Sequence, residues 1–455
     1  MILRKKSYSG FSIILFLLTA VPQAFGFNGS STLPAGLSVL SAQEYESTSA
    51  FRSFEGERLV YKTDDHFLMA NKLGNLTDEN LFVVKLDGVS SKFQSGFEDF
   101  RVELEKISIV HHFIDGDFAL VEPKPGKEGE LASVAHDFVE GCGALVQLGA
   151  WSEIADKKAA NYRGPLQKVE TVIPEVSQLV NEIDDEKIYD EILSMEAMGT
   201  RYYRSETGKA VPSYIAERYS RHIPENRSDV KIEFVPVKRS PQDNIVIRIE
   251  GSEKPEEVII LGSHIDSIIS GRDRGSVAPG ADDNASGTAT NLEIFRVMME
   301  SGIKPKRTVE IHGYAAEEIG LVGSAQLADA YRRNSVDVIA MVQMDMNLFS
   351  GRRQDLSTMY FVTNDTNKQL TDALATLSSN YLEVKTVKGG GIGGTSDHKS
   401  WDDRGFVAAF PFENPRNYNS HIHSKRDRAE LVGNAKFSQL YAKMGLAYVL
   451  HFAGY

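Results

Sequence analysis

Short, almost uninterrupted apolar runs recur along the second half of the chain at residues 257–262 (EVIILG), 308–313 (TVEIHG), 338–343 (VIAMVQ) and 407–410 (VAAF). Runs of that length bounded by polar turns read as strands buried on both faces. Helical periodicity fills the intervals: residues 176–195 predict one helix, 286–299 a second, and 435–452 a closing one. The alternation predicts an α/β three-layer sandwich, with a mostly parallel but mixed central sheet, over residues 171–455. Upstream, residues 81–86 and 118–121 read as strands and 131–138 as an amphipathic helix, which predicts a small α+β unit within residues 27–170. The pattern weakens between Lys157 and Pro174, where Lys158 and Arg163 add positive charge. That stretch reads as a linker. No internal repeat or low-complexity tract interrupts the pattern.

The first residues follow a different logic. Arg4, Lys5 and Lys6 precede an apolar run at 11–20, and Ala24-Phe25-Gly26 offers a small-x-small cleavage site. Residues 1–26 are therefore expected to be a secretory signal peptide, the run being shorter than the roughly 20 residues of a spanning helix. A secreted or periplasmic location, with no membrane association after cleavage, follows. Cys142 is the single cysteine of the 455 residues, so no intramolecular disulfide can form and no zinc site can be built from several thiolates. Any metal must be held by His and carboxylate. A formal net charge of -13 has the wrong sign for non-specific attraction to nucleic acid phosphates.

Candidate chemistry gathers where the predicted strands end. The first runs into Gly-Ser-His264-Ile-Asp266, with His and Asp two apart on one face. Asp282, Asp283 and Asn284 stand before the 286–299 helix, where either a helix cap or a ligand fits. The next strand leads into Glu317-Glu318 among small apolar residues, and neighbouring carboxylates in a half-buried setting repel unless a cation holds one of them. Asp345 lies between Met344 and Met346, a costly position for a lone acid. After the Gly-rich stretch 389–394 come Ser396-Asp397-His398, expected on one strand, and His421-Ile422-His423. Adjacent Ser, Asp and His cannot arrange themselves as a catalytic triad. The Gly-rich stretch lacks the Lys-Ser/Thr of a phosphate-binding loop.

The motifs together, His264-Ile-Asp266-Ser267, Gly280-Ala-Asp-Asp283-Asn-Ala-Ser-Gly287, Glu317-Glu318-Ile-Gly, Gln343-Met-Asp345-Met and Ser396-Asp-His-x-Ser-Trp401 with Ile422-His423, resemble the M28 family of zinc aminopeptidases. The similarity extends to the secreted bacterial leucyl aminopeptidases and covers about residues 176–455. It implies two zinc ions per chain bridged by Asp283, one also held by Glu318 and His423, the other by His264 and Asp345. It further implies Glu317 as general base, Asp266 as the hydrogen-bond partner of His264, and Met346, Phe412, Tyr418 and Ile422 as an apolar side-chain pocket. Asp282 is the alternative bridge. The implied substrates are peptide or protein N-termini with apolar first residues, Leu especially. A carboxypeptidase or glutaminyl cyclase of the same fold, or a non-enzymatic ectodomain, are the competing readings.

The sequence departs from its secreted relatives where they carry a disulfide: Gly391 and Thr395 stand there, and Gly393 replaces a tyrosine. A looser loop and an altered pocket wall are expected. Residues 27–170, between signal and basic linker, read as a propeptide open to a processing protease or, alternatively, as a permanent accessory domain. Cys142 reads as a small buried hydrophobe, and His66, His111 and His112 as structural or surface residues.

Overall fold

The computed structural model describes residues 33, 37–41, 57–62, 66–71, 81–86, 97–114, 118–138, 145–147, 166, 169, 171–270, 276–390 and 396–455. The expected signal sequence at residues 1–26, Cys142, the basic residues Lys157, Lys158 and Arg163, and loop positions Gly391, Gly393 and Thr395 lie outside them.

The N-terminal strands form two antiparallel sheets. β1 (Leu37–Ser41) and β2 (Glu57–Lys62) both pair with β3 (His66–Asn71), giving the order β1-β3-β2. β4 (Phe82–Lys85), β5 (Ser108–Ile114), β6 (Phe118–Pro123) and β7 (Leu145–Gln147) assemble as β5-β6-β4-β7. Helices α1 (Phe97–Ile107) and α2 (Glu128–Phe138) accompany this second sheet. Successive side chains of a strand point to opposite faces, and β4 divides accordingly: Phe82 and Val84 join one apolar cluster, Val83 the other. His111 Nε2 lies 3.2 Å from Glu122 on the neighbouring strand, in keeping with a structural role.

The larger sheet comprises β8 (Val230–Val235), β9 (Asn244–Ile249), β10 (Lys254–His264), β11 (Arg307–Tyr314), β12 (Asp337–Gln343), β13 (Thr358–Val362), β14 (Lys385–Gly389) and β15 (Ala408–Phe412), in the order β14-β13-β15-β12-β10-β11-β9-β8. β11, β10, β12 and β15 run parallel at its centre. Antiparallel pairings bring in β9 on one side and β13 on the other. The sheet is thus mixed, as the pattern predicts.

Helices cover both faces. Ile259 and Leu261 of β10 pack in one cluster with Ile294 and Phe295 of α6 (Gly287–Glu300), Leu374 of α8 (Lys368–Leu382) and Tyr448 of α10 (Lys436–Ala453). Val258 and Ile260 pack oppositely, with Leu327 and Ala328 of α7 (Val322–Arg333) and Trp401 of α9 (His398–Asp402). Two expectations need correction. The stretch 176–195 is two helices, α3 (Pro174–Val180) and α4 (Asp185–Glu196), because the Asp184 carboxylate accepts from the Glu186 amide at 2.9 Å and starts a new helix. Val180 and Ile183 are both buried, so the apolar pattern runs through the break. His398 opens a helix rather than continuing a strand with Ser396 and Asp397.

The N-terminal unit shares its core with the larger domain. Phe82, Phe100, Leu104, Leu131 and Leu145 lie in one cluster with Tyr202, Tyr203, Ile268, Ala315, Ala316 and Ile319, while Leu321 joins Val83 and Leu120. Leu261, fully buried between sheet and helices, measures how much the main core depends on packing. Leu261→Ala is expected to lower the unfolding free energy by about 2–5 kcal/mol, as read by urea denaturation.

Candidate metal centre

The C-terminal ends of parallel strands are where an open α/β sheet presents its ligand crevice, and the singled-out histidines and acids lie at such an end or in the loops beyond it. β10 ends at His264. Beyond it the chain turns through Asp266, whose two carboxylate oxygens accept from the Glu317 and Glu318 amides at 3.1 and 3.3 Å. Those two acids begin a 3-10 turn, Glu317–Ile319, just past β11, entered and left through left-handed residues Ala316 and Gly320. β12 is followed by Asp345. The β15 strand leads through Glu413 into the loop that carries His423.

Asp282 and Asp283 lie in the wide turn Ala281–Ser286 that enters α6, and the Asp283–Asn284 peptide is cis. This turn is pressed against the end of β12. A Cβ on Gly287 would stand 2.0 Å from the Met344 carbonyl oxygen, so only glycine lets the helix start so close to the strand end.

The two oxygens of Asp283 face two different histidines. Oδ1 lies 3.0 Å from His264 Nε2, and Oδ2 lies 3.0 Å from His423 Nε2. His423 Nε2 is also 3.0 Å from Glu318 Oε2, and His264 Nε2 is 3.5 Å from Asp345 Oδ1. On its other side, His264 Nδ1 stands 3.5 Å from Asp266. Ligand atoms of His264, Asp283 and Glu318 fall within 4.8 Å of one another. Asp282 turns away: its Oδ1 accepts from the Leu348 amide at 3.0 Å. His421 and His423 occupy a turn, and it is His423 that meets Asp283 and Glu318.

Burial sets the electrostatics. All these side chains are removed from water, and charged groups there need a counter-charge. Burial pushes Glu317 well above the usual carboxylate range, and Glu318 up to about 7 with help from Asp283. Burial likewise raises Asp397 to about 7. Asp283 is opposite: burial pushes it up, but the interactions with His264 and His423 prevail and hold it well below. Meanwhile Glu317 Oε1 is buried without making a hydrogen bond, and His264 meets Asp283, Asp345 and Asp266 through close approaches rather than aligned hydrogen bonds. Two imidazoles and three carboxylates converging on one another form an N/O donor set of the type that zinc accepts. The residues present fit such an ion.

Further residues support the site, and of these Glu413 and Asp427 escaped the sequence reading. Ser396 Oγ donates to Asp345 Oδ2 at 2.6 Å, and Gln343 Nε2 donates to Asp397 at 2.8 Å. Asp427 accepts from the Asp282 and Asp283 amides, at 3.1 Å each. Glu413 accepts from the Phe349 and Asn419 amides at 2.6 and 2.8 Å and interacts with Asp282. Glu413 stands directly after an apolar strand, the same signal that singled out the others. Asp427 carries no comparable signal. Met346 and Phe412 pack with Val362 and Phe410, and Tyr418 and Ile422 lie against them.

A pattern for peptidase family M28 matches residues 244–445. A probable aminopeptidase of Saccharomyces cerevisiae is 33% identical over 272 residues, covering 58% of this chain and 72% of the yeast protein. Leucine aminopeptidase 1 of Blastomyces gilchristii is 30% identical over 323 residues, 68% of this chain and 81% of its own. Among solved structures, the LapA aminopeptidase of Legionella pneumophila superposes with a TM-score of 0.67 at 25% identity, covering 82% of this chain and 98% of LapA. LapB of the same organism, at 22% identity and a TM-score of 0.68, shares the fold over 83% of this chain and 100% of its own. Strand-end motifs, sheet order and relatives agree: the chain belongs to peptidase family M28.

Proposed function

We propose that this chain is a secreted or periplasmic di-zinc aminopeptidase that removes N-terminal residues, apolar ones and Leu above all, from peptides. The observation that carries the reading is Asp283, each of whose oxygens lies 3.0 Å from a histidine on a different strand-end loop. In this reading zinc would be held by Asp283 together with Glu318 and His423 on one side and with His264 and Asp345 on the other, Asp283 being the residue that would serve both ions. Bound there, zinc supplies a Lewis acid for the scissile carbonyl and makes water acidic enough to ionise near neutral pH.

The protein groups then have separable tasks. Glu317 adjoins a ligand, and its Oε1 makes no hydrogen bond, so it is available to take the proton of the attacking water and return it to the leaving amine. Asp266 fixes the turn by accepting both amides of the acid pair and steers His264 from behind. The apolar cluster of Met346, Phe412, Tyr418 and Ile422 would receive the first side chain of the substrate.

Release of p-nitroaniline from leucine p-nitroanilide, with two zinc ions per chain by elemental analysis, is the expected result. Glu317→Gln should keep both ions and lose about 10²–10⁴-fold in kcat. Loss of zinc in that variant would make Glu317 a ligand instead. Asp283→Asn should lose both ions, whereas Asp282→Asn should retain them. The reverse pattern would move the bridge by one residue.

Residues 27–170 form, in this reading, a propeptide cleaved in the basic linker. Their position upstream of the matched 244–445 region supports it. The shared apolar core means that a nicked N-terminal unit stays bound until it is displaced. N-terminal sequencing of exported protein should find a start between about 158 and 180, with activity higher than before cleavage. A start near Phe27 with full activity would instead make the unit a permanent domain.

A further inference from the structure

Arg201 lies between α4 and α5 (Glu206–Ser220), away from every strand end, and its side chain is fully buried. A guanidinium so placed normally has a carboxylate partner. Here its donors go to backbone carbonyls instead: Nε to Ile265 at 3.1 Å, and the two terminal nitrogens to Pro279 at 2.7 Å and Gly280 at 2.8 Å. The Arg201 amide donates to Ser267 Oγ at 3.0 Å, and that hydroxyl donates to the Ala278 carbonyl at 2.8 Å. One residue thus clamps two segments. The first follows His264 and holds Asp266; the second leads into Asp282 and Asp283.

The same cation acts through space on Asp427, Asp283, Asp266 and Glu318. Gly280 has a left-handed backbone, and a Cβ there would come within 2.8 Å of the guanidinium and 2.4 Å of the Asp283 carbonyl oxygen. The fork, the glycine and the acid-bearing turn therefore fit one another closely. Lys cannot reproduce this contact, because a single ammonium does not span carbonyls on two segments with a planar fork.

We propose that Arg201 is a positioning residue of the metal centre: it ties the His264–Asp266 segment to the Asp283 turn and offsets the repulsion among their carboxylates, so that the donor set is already assembled when zinc arrives. The inference rests on the proposed zinc site.

The test compares the full chain with Arg201→Lys and Arg201→Met, measuring zinc affinity by chelator competition, unfolding midpoints with and without zinc, and kcat and KM for leucine p-nitroanilide. Zinc affinity should fall about 10–100-fold in both variants, the range seen when groups that orient metal ligands are removed. Excess zinc should restore much of kcat with KM changed less than about 3-fold, since no substrate contact is lost. Unchanged zinc affinity beside an equal drop of both unfolding midpoints would make Arg201 a purely structural residue and overturn the proposal. Should neither variant fold, Ser267→Ala keeps the guanidinium and removes its backbone tether. It should weaken zinc binding in the same direction by a smaller factor, and an unchanged affinity would overturn the proposal. A wild type that binds no zinc would overturn the zinc reading and this inference together. A wild type that binds zinc no better than its variants would sink this inference alone.

Discussion

Too many carboxylates in too little water is the constraint on which this fold turns. Asp266, Asp282, Asp283, Glu317, Glu318, Asp345, Asp397, Glu413 and Asp427 are all buried in and beside the loops at the strand ends. Among the described residues, His264 and His423 face them directly and Arg201 acts on them through space. Left to themselves, the acids resolve the conflict by retaining protons, as the upward displacement of Glu317, Glu318 and Asp397 indicates. A divalent cation would resolve it differently, by keeping the acids ionised and giving the spare lone pairs something to bind.

The rest of the architecture keeps those acids in place against their mutual repulsion. Backbone amides do much of it. Asp266 takes two from the Glu317 turn, Asp427 two from the Asp283 turn, and Glu413 two from the loops on either side of the apolar cluster. Each acid is thereby charge-assisted by donors that cannot move away. The parallel sheet contributes the other half, since adjacent strand ends bring residues 264, 317 and 345 side by side although they are distant in sequence.

Much of this was legible in the sequence because strands buried on both faces leave a plain signature and because polar residues at their ends have no core to enter. That reasoning reached the α/β sheet and its mixed character and singled out the strand-end residues one by one; grouping His264, Asp283, Glu318 and His423 came from the family resemblance, and the structure brings these four side chains together. The sequence reasoning did not reach the break at Asp184, because burial of Val180 and Ile183 carries the helical period straight across the cap. It misread Ser396-Asp397-His398 as strand, since a short helix of five residues leaves too few positions to show a period. It passed over Arg201 and Asp427, whose neighbours in space come from remote segments and leave no local trace.

The turn that carries Glu317 and Glu318 is also a seam between two hydrophobic cores. Ala316 and Ile319 belong to the cluster built with α1 and α2, and Leu321 to the one built with the first sheets. The acid pair is therefore anchored on one side by the large sheet and on the other by a unit that contributes none of the clustered histidines or acids. The small unit thus packs directly against the turn that orients the acids. A damaged packing residue such as Phe100 or Leu131 would be felt as an error in the orientation of the acids, many residues away along the chain.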